Sequence, residues 1–179
     1  MSSSRYLLVL VSALIVPGAL FGTEQGALDP NLEPLRPWLG KTWKSDSAES
    51  AKAKTPVDIA RWERALNGKA VRILHSLDRG TYGGETIVMW DEKRKSVVYH
   101  YFTTAGFMTT GTMQFQGGKI ISNETVSGDA GGVTEVRGTT EMEADGTFRV
   151  RTEYQKGGQW QPARDNTYRE DSGAAVVFE

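Results

Sequence analysis

The residues of this chain best suited to acid–base or metal chemistry are its two histidines, His75 and His100. His75 alternates with Val71, Ile73 and Leu77, and His100 with Val98 and Phe102. If both segments are extended, each imidazole shares an apolar face, and the two could point into one interior. A metal or haem site is one chemistry open to them. A structural zinc site needs four ligands and a catalytic one three plus water, and no spacing here announces such a set. Proton transfer is the other, with a histidine beside a carboxylate whose pKa is tuned by burial. Arg61, Glu63, Arg64, Arg72, Glu85, Glu124, Glu135 and Arg137 fall on similar segments, and most read as the solvated face of an alternating strand. The plain alternative is a pair of hydrogen-bonded interior histidines. The chain has no cysteine, which excludes disulfides, thiol catalysis and thiolate metal sites. It has no Gly-x-Ser-x-Gly elbow and no phosphate loop. A formal net charge of −1 gives no electrostatic case for nucleic acid as a partner.

Aromatic residues supply a second kind of site. Trp62, Trp90 and Phe102, with His75 and His100, are the candidates for contact with a small apolar ligand. Side-chain parity puts Trp62, His100 and Phe102 on the inward face, a choice that a one-residue slip of register would invert. The interior is either an open pocket or a core packed by its own rings, and the residue types allow both.

These residues must be positioned by strands. The most strand-like stretch runs from Tyr82 to Phe115. It divides into Glu85–Trp90, Val97–Thr103 and Phe107–Phe115, rich in β-branched and aromatic residues, with turns at Asp91–Lys95 and Ala105-Gly106. Before it come Gly40–Lys44, then Val57–Leu66, the hairpin signal Asn67-Gly68 and Lys69–Leu77, with Asp78-Arg79-Gly80 as the next turn. After it, glycine-bearing turns separate Lys119–Val126, Val133–Met142, Thr147–Tyr154 and Gln159–Arg169. That makes ten strands at about the 8–12-residue spacing of all-β folds. No segment after residue 56 has room for a crossover helix, so pairing is antiparallel. A meander of this length leaves two exposed edges unless it closes into a barrel. Arg137, Glu141, Arg149, Arg151 and Glu153 leave no continuous lipid-facing band on the later strands, which argues against embedding in a membrane.

Residues 1–22 have the pattern of a secretory signal peptide: Arg5, the apolar run Tyr6–Val16, and small residues near Gly22. Cleavage is expected after Gly22 or after Ala27. A periplasmic or secreted location follows as an expectation. Residues 23–37 form an N-terminal segment with a mobile start. Leu32, Leu35, Trp38 and Leu39 have helical spacing and suggest a short turn plugging one end of the barrel. The barrel is expected over 38–170 and a tail over 171–179. The polar stretch Ser45–Thr55 reads as a solvated loop or, alternatively, a lid over a cavity mouth.

At Leu39-Gly40-Lys41-Thr42-Trp43 the sequence resembles the opening strand of the lipocalin-like (calycin) superfamily. There a glycine precedes a tryptophan that closes the barrel bottom, with one residue between them where this chain has two. The resemblance implies that Gly40 and Trp43 close the barrel and that Arg169, on the last strand, stacks over Trp43. Glu85-Thr86, Met89-Trp90-Asp91, Tyr99-His100-Tyr101-Phe102, Gly106 and Gly111 are similar to a group of exported bacterial domains with such a barrel. Related haem-binding barrels use a histidine late in the chain. None follows His100 here, so haem is disfavoured and no cofactor is required. The expected fold is thus all-β, a single antiparallel up-and-down lipocalin-like β-barrel of about ten strands with a short N-terminal helical turn. The expected function is binding of a small, largely apolar ligand. The alternatives are an isomerase- or cyclase-type enzyme using an interior histidine, and an interaction module. The last rests on the two-sided apolar character of Ile87–Trp90 and Val97–Phe102, which also suggests a homo-oligomer.

Overall fold

A computed structural model describes residues 26–46 and 56–179. The expected signal peptide and most of the lid candidate, residues 47–55, lie outside the described residues. Ten antiparallel strands form a closed barrel in which each pairs with its sequence neighbours. They are β1 (Thr42–Ser45), β2 (Asp58–Ala65), β3 (Ala70–Leu77), β4 (Tyr82–Asp91) and β5 (Ser96–Thr103), followed by β6 (Met108–Gln116), β7 (Lys119–Ser127), β8 (Val133–Met142), β9 (Phe148–Lys156) and β10 (Gln159–Glu170). The ring closes where β1 pairs with β10, with Trp43 opposite Glu170 and Ser45 opposite Tyr168. Closure gives every strand two partners and removes the exposed edges of an open meander.

The turns follow their residue types. Leu66-Asn67-Gly68 joins β2 to β3 with all three residues at positive φ, and Gly68, at +88°, is the position where a side chain is least tolerable. A Cβ there would lie 2.0 Å from the Ala27 carbonyl oxygen.

One end of the barrel is plugged by a 3₁₀ helix, Pro30–Trp38. Asp29 caps it, its carboxylate accepting from the Asn31 backbone N–H at 3.1 Å. Pro30, Pro34 and Pro37 have no N–H to give to an α-helical ladder, which favours the tighter winding. Nine residues is long for a 3₁₀ helix, and packing explains its length. Leu32, Leu35 and Trp38 recur every third residue, the 3₁₀ repeat, so all three lie on one face and are buried. They join Trp43, Val71, Val88, Val97, Ile120 and Phe148 in the main apolar core. The core therefore fills the plugged end and leaves the other end of the barrel to a cavity. Residues after β10 return along the outside, where the Val177 backbone N–H donates to Ser76 Oγ at 3.2 Å.

Trp43 sits at the floor, 1% exposed. Its indole N–H donates to the Trp38 carbonyl at 3.2 Å, and Phe148 meets it edge-on at 4.9 Å. Gly40, with φ +80°, begins the bend into β1, and its backbone N–H donates to the Trp62 carbonyl at 2.9 Å. The expectation for Arg169 is corrected. Tyr168 points inward and stacks on Phe148 at 4.6 Å, so strand alternation turns Arg169 outward, where it pairs with Asp46 and Asp145. The cation over the Trp43 ring is the Lys41 ammonium, 5.2 Å from the ring centroid.

Candidate functional site

The barrel encloses a cavity of about 730 Å³. Trp62, Ile73, Phe107, Met113, Val126, Val136 and Val150 give it apolar walls. Val136, Val150 and Tyr154 face it without being buried, so this half of the interior is open rather than filled.

A polar belt made of two hydrogen-bonded clusters lines the cavity wall from β2 to β7. It starts at Asp58, 2% exposed, at the head of β2. One carboxylate oxygen faces His75 Nδ1 at 3.1 Å. The other accepts from the Arg164 guanidinium at 2.6 Å and from the Tyr168 hydroxyl at 2.8 Å. Nε2 of His75 lies 2.7 Å from the Tyr101 hydroxyl, and that hydroxyl lies 3.0 Å from the Tyr82 hydroxyl. Further along, Glu124 on β7 accepts from the Thr109 and Tyr99 hydroxyls, and Tyr99 also reaches Ser122.

Two glycines allow the belt to span the strands. Tyr101 is on β5 and His75 on β3, with Gly84 of β4 between them and paired to His75. A Cβ on Gly84 would lie 2.4 Å from the Tyr101 ring and 2.2 Å from the Phe102 carbonyl oxygen. Tyr99 crosses Gly111 of β6, paired to Glu124, in the same way, and a Cβ on Gly111 would lie 2.6 Å from the Tyr99 ring. In each case a missing side chain lets one phenol reach a partner two strands away.

Electrostatics divides the belt into two halves. Burial alone pushes the Asp58 carboxyl up, but His75, Arg164 and Tyr168 outweigh it and hold the group below the usual carboxylate range. Glu124 is held by two hydroxyls, and burial outweighs them and pushes its carboxyl up. Burial raises the Tyr99 and Tyr101 phenols as well, so both act as neutral hydroxyls.

With Asp58 ionised and neutral His75 carrying its proton on Nδ1, Nε2 accepts from Tyr101, whose oxygen can accept from Tyr82. Protonation of His75 reverses the chain: Nε2 donates to Tyr101, Tyr101 to Tyr82, and the Tyr82 hydroxyl donates onward. The arrangement can therefore recognise an oxygen function on a ligand and can relay a proton.

The structure brings together only part of the expected set. Trp62 and His75 line the cavity. His100 and Phe102 face outward, a correction to their inward assignment. Phe102 is 48% exposed, the two rings stack at 6.3 Å on the outside, and His100 Nδ1 lies 3.1 Å from the Thr110 hydroxyl. The opposite face of β5 carries Val97, Tyr99 and Tyr101 inward, so the two histidines do not share an interior. Trp90 does not reach the cavity. It packs partly buried against the core, and its indole N–H donates to Glu92 at 2.8 Å.

Asp58 and Arg164 were not among the sequence candidates for the site. Parity with Trp62 would have found Asp58, and parity with a buried Tyr168 would have found Arg164. Among the described residues no cluster of three or more histidine, aspartate or glutamate side chains is placed to hold a metal ion. No protein-family model and no curated protein matches the chain.

Proposed function

We propose that this protein is an exported lipocalin-like barrel that binds a small molecule, apolar over most of its surface, in the barrel interior. The observation that carries this is the cavity itself. About 730 Å³ lies within the roughly 300–1,000 Å³ range of small-molecule sites, and apolar walls with a few convergent polar groups are their usual lining. The resemblance to lipocalin-like exported domains supports the same function. The test is fluorescence titration with N-phenyl-1-naphthylamine, a neutral apolar probe, against the wild type and Val136→Trp. Val136 faces the cavity, and an indole there intrudes into it. Saturable uptake of one probe per chain, lost in Val136→Trp with the barrel still folded, is the expected result. No uptake, or uptake unchanged in the variant, would overturn the proposal.

A second function is favoured by one observation, the unbroken chain Asp58–His75–Tyr101–Tyr82. A histidine oriented by a buried carboxylate and wired to a phenol at a cavity wall suits proton-transfer catalysis of the isomerase type. Its test is hydrogen–deuterium exchange at the α-carbon of 2-tetralone, a neutral enolisable ketone, in D₂O. Acceleration that His75→Gln abolishes supports it, and exchange at the solvent rate removes it.

A further inference from the structure

An interior that holds a ligand must balance the ligand's charge as well as its shape, because an unpaired charge taken out of water is costly. The charged side chains lining this cavity are therefore informative. Among the described residues they are Asp58, Glu124, Asp129 and Arg164, with His75 as the one titratable imidazole. Arg164 is the single guanidinium or ammonium in that set, and it is already paired. Its terminal nitrogen lies 2.6 Å from Asp58, whose carboxylate is 3% exposed. The same carboxylate takes the Tyr168 hydroxyl and faces His75, so its oxygens are occupied from three sides. Glu124 is held by the hydroxyls of Thr109 and Tyr99. With His75 neutral, one positive charge stands against two negative charges, or three when Glu124 is ionised. The uncharged group that meets a ligand is chiefly the Tyr82 hydroxyl at the end of the relay.

We infer that the natural ligand is an uncharged molecule, an apolar body bearing a hydrogen-bonding oxygen that meets the Tyr82–Tyr101 end of the belt, and that the self-paired Asp58–Arg164 couple excludes anions. This rests on the ligand-binding proposal and narrows its ligand class. A carboxylate or sulfonate entering the cavity finds the only cation neutralised by Asp58 and meets Glu124 and Asp129 as further negative groups. A cation meets Glu124, which is buried and already held by the Thr109 and Tyr99 hydroxyls, and Asp129, which is exposed and takes the Gly131 backbone N–H. A neutral ligand disturbs none of these arrangements.

Three probes that share a naphthylamine body test the inference by fluorescence titration of the wild type. N-phenyl-1-naphthylamine is neutral, 8-anilinonaphthalene-1-sulfonate adds a sulfonate to the same rings, and N-(1-naphthyl)ethylenediamine carries an ammonium. The neutral probe is expected to bind at least about tenfold more tightly than either charged one, an unpaired buried charge being worth at least that factor. Asp58→Asn leaves Arg164 uncompensated and is expected to tighten the sulfonate probe about tenfold relative to the neutral one. Equal or tighter binding of the sulfonate by the wild type, in a manner sensitive to Val136→Trp, would overturn the exclusion of anions. Tighter binding of the ammonium probe would reassign Glu124 as a counter-ion and overturn the inference from the other side. If Asp58→Asn does not fold, the wild-type comparison still decides. Uptake of none of the three would remove the ligand-binding proposal itself, and the inference with it.

Discussion

Gly84→Ala is the smallest perturbation that separates the polar belt from the barrel that carries it. The added Cβ would lie 2.4 Å from the Tyr101 ring and 2.2 Å from the Phe102 carbonyl oxygen. Ordinary van der Waals contact begins near 3.4 Å, so the ring must retreat by about 1 Å, and the β4–β5 backbone must shift as well. A retreat of that size breaks the 2.7 Å contact with His75 and the 3.0 Å contact with Tyr82. Overpacking costs about 1–3 kcal/mol. Two lost hydrogen bonds add about 1 kcal/mol each. The sum is about 3–5 kcal/mol, or about 6–20 °C in Tm for a chain of this size. Urea denaturation followed by tryptophan fluorescence measures it. In Tyr101→Ala the ring is gone, so Gly84→Ala in that background should lose most of its ring-dependent cost, a coupling of at least about 1 kcal/mol. A loss below about 1 kcal/mol in the wild-type background, or full additivity with Tyr101→Ala, would refute the close approach as the reason for a glycine at this position.

Other perturbations should report on the belt's charges. Asp58→Ala strands the Arg164 guanidinium and is expected to cost about 3–5 kcal/mol in urea denaturation, whereas Asp165→Ala, which removes an exposed partner of Arg149, should cost at most about 1 kcal/mol. Glu124 is raised in the folded state, so its contribution is full below the ordinary carboxylate range and is lost as pH rises through the raised value. Glu124→Gln should therefore gain stability relative to the wild type across that window, with a slope of at most about 1.4 kcal/mol per pH unit for one proton, and parallel stability–pH curves would contradict it. His100→Ala and Phe102→Ala, both on the outer face, should leave uptake of the neutral probe within about twofold of wild type, while Tyr101→Phe, which removes the hydroxyl between His75 and Tyr82, should weaken probes that carry an oxygen function.

The fold was legible because its signals are local. Asn67-Gly68, Gly117-Gly118, Asp145-Gly146 and Gly157-Gly158 punctuate runs of alternating residues, and the strands fall between them. The plug was legible from the three-residue repeat of Leu32, Leu35 and Trp38. The site was less so, because β5 carries aromatic residues on both faces. Val97, Tyr99 and Tyr101 oppose Val98, His100 and Phe102, and no period of two distinguishes two bulky faces. The inward set is decided by neighbours far away in sequence: Gly84 and Gly111 provide room for tyrosines on one face only. Glu124 looked like the solvated side of its strand for the same reason. Its inward direction is set by barrel closure, which is not a local pattern.

Native mass spectrometry of the protein purified from its own source, before and after incubation with N-phenyl-1-naphthylamine, tests most directly whether the interior is an open ligand site. A non-covalent adduct of one small molecule per chain is expected, either retained from the source or gained from the probe, and absent from Val136→Trp. A bare monomer mass in both samples would mean that the cavity admits no ligand, and the binding function would be wrong.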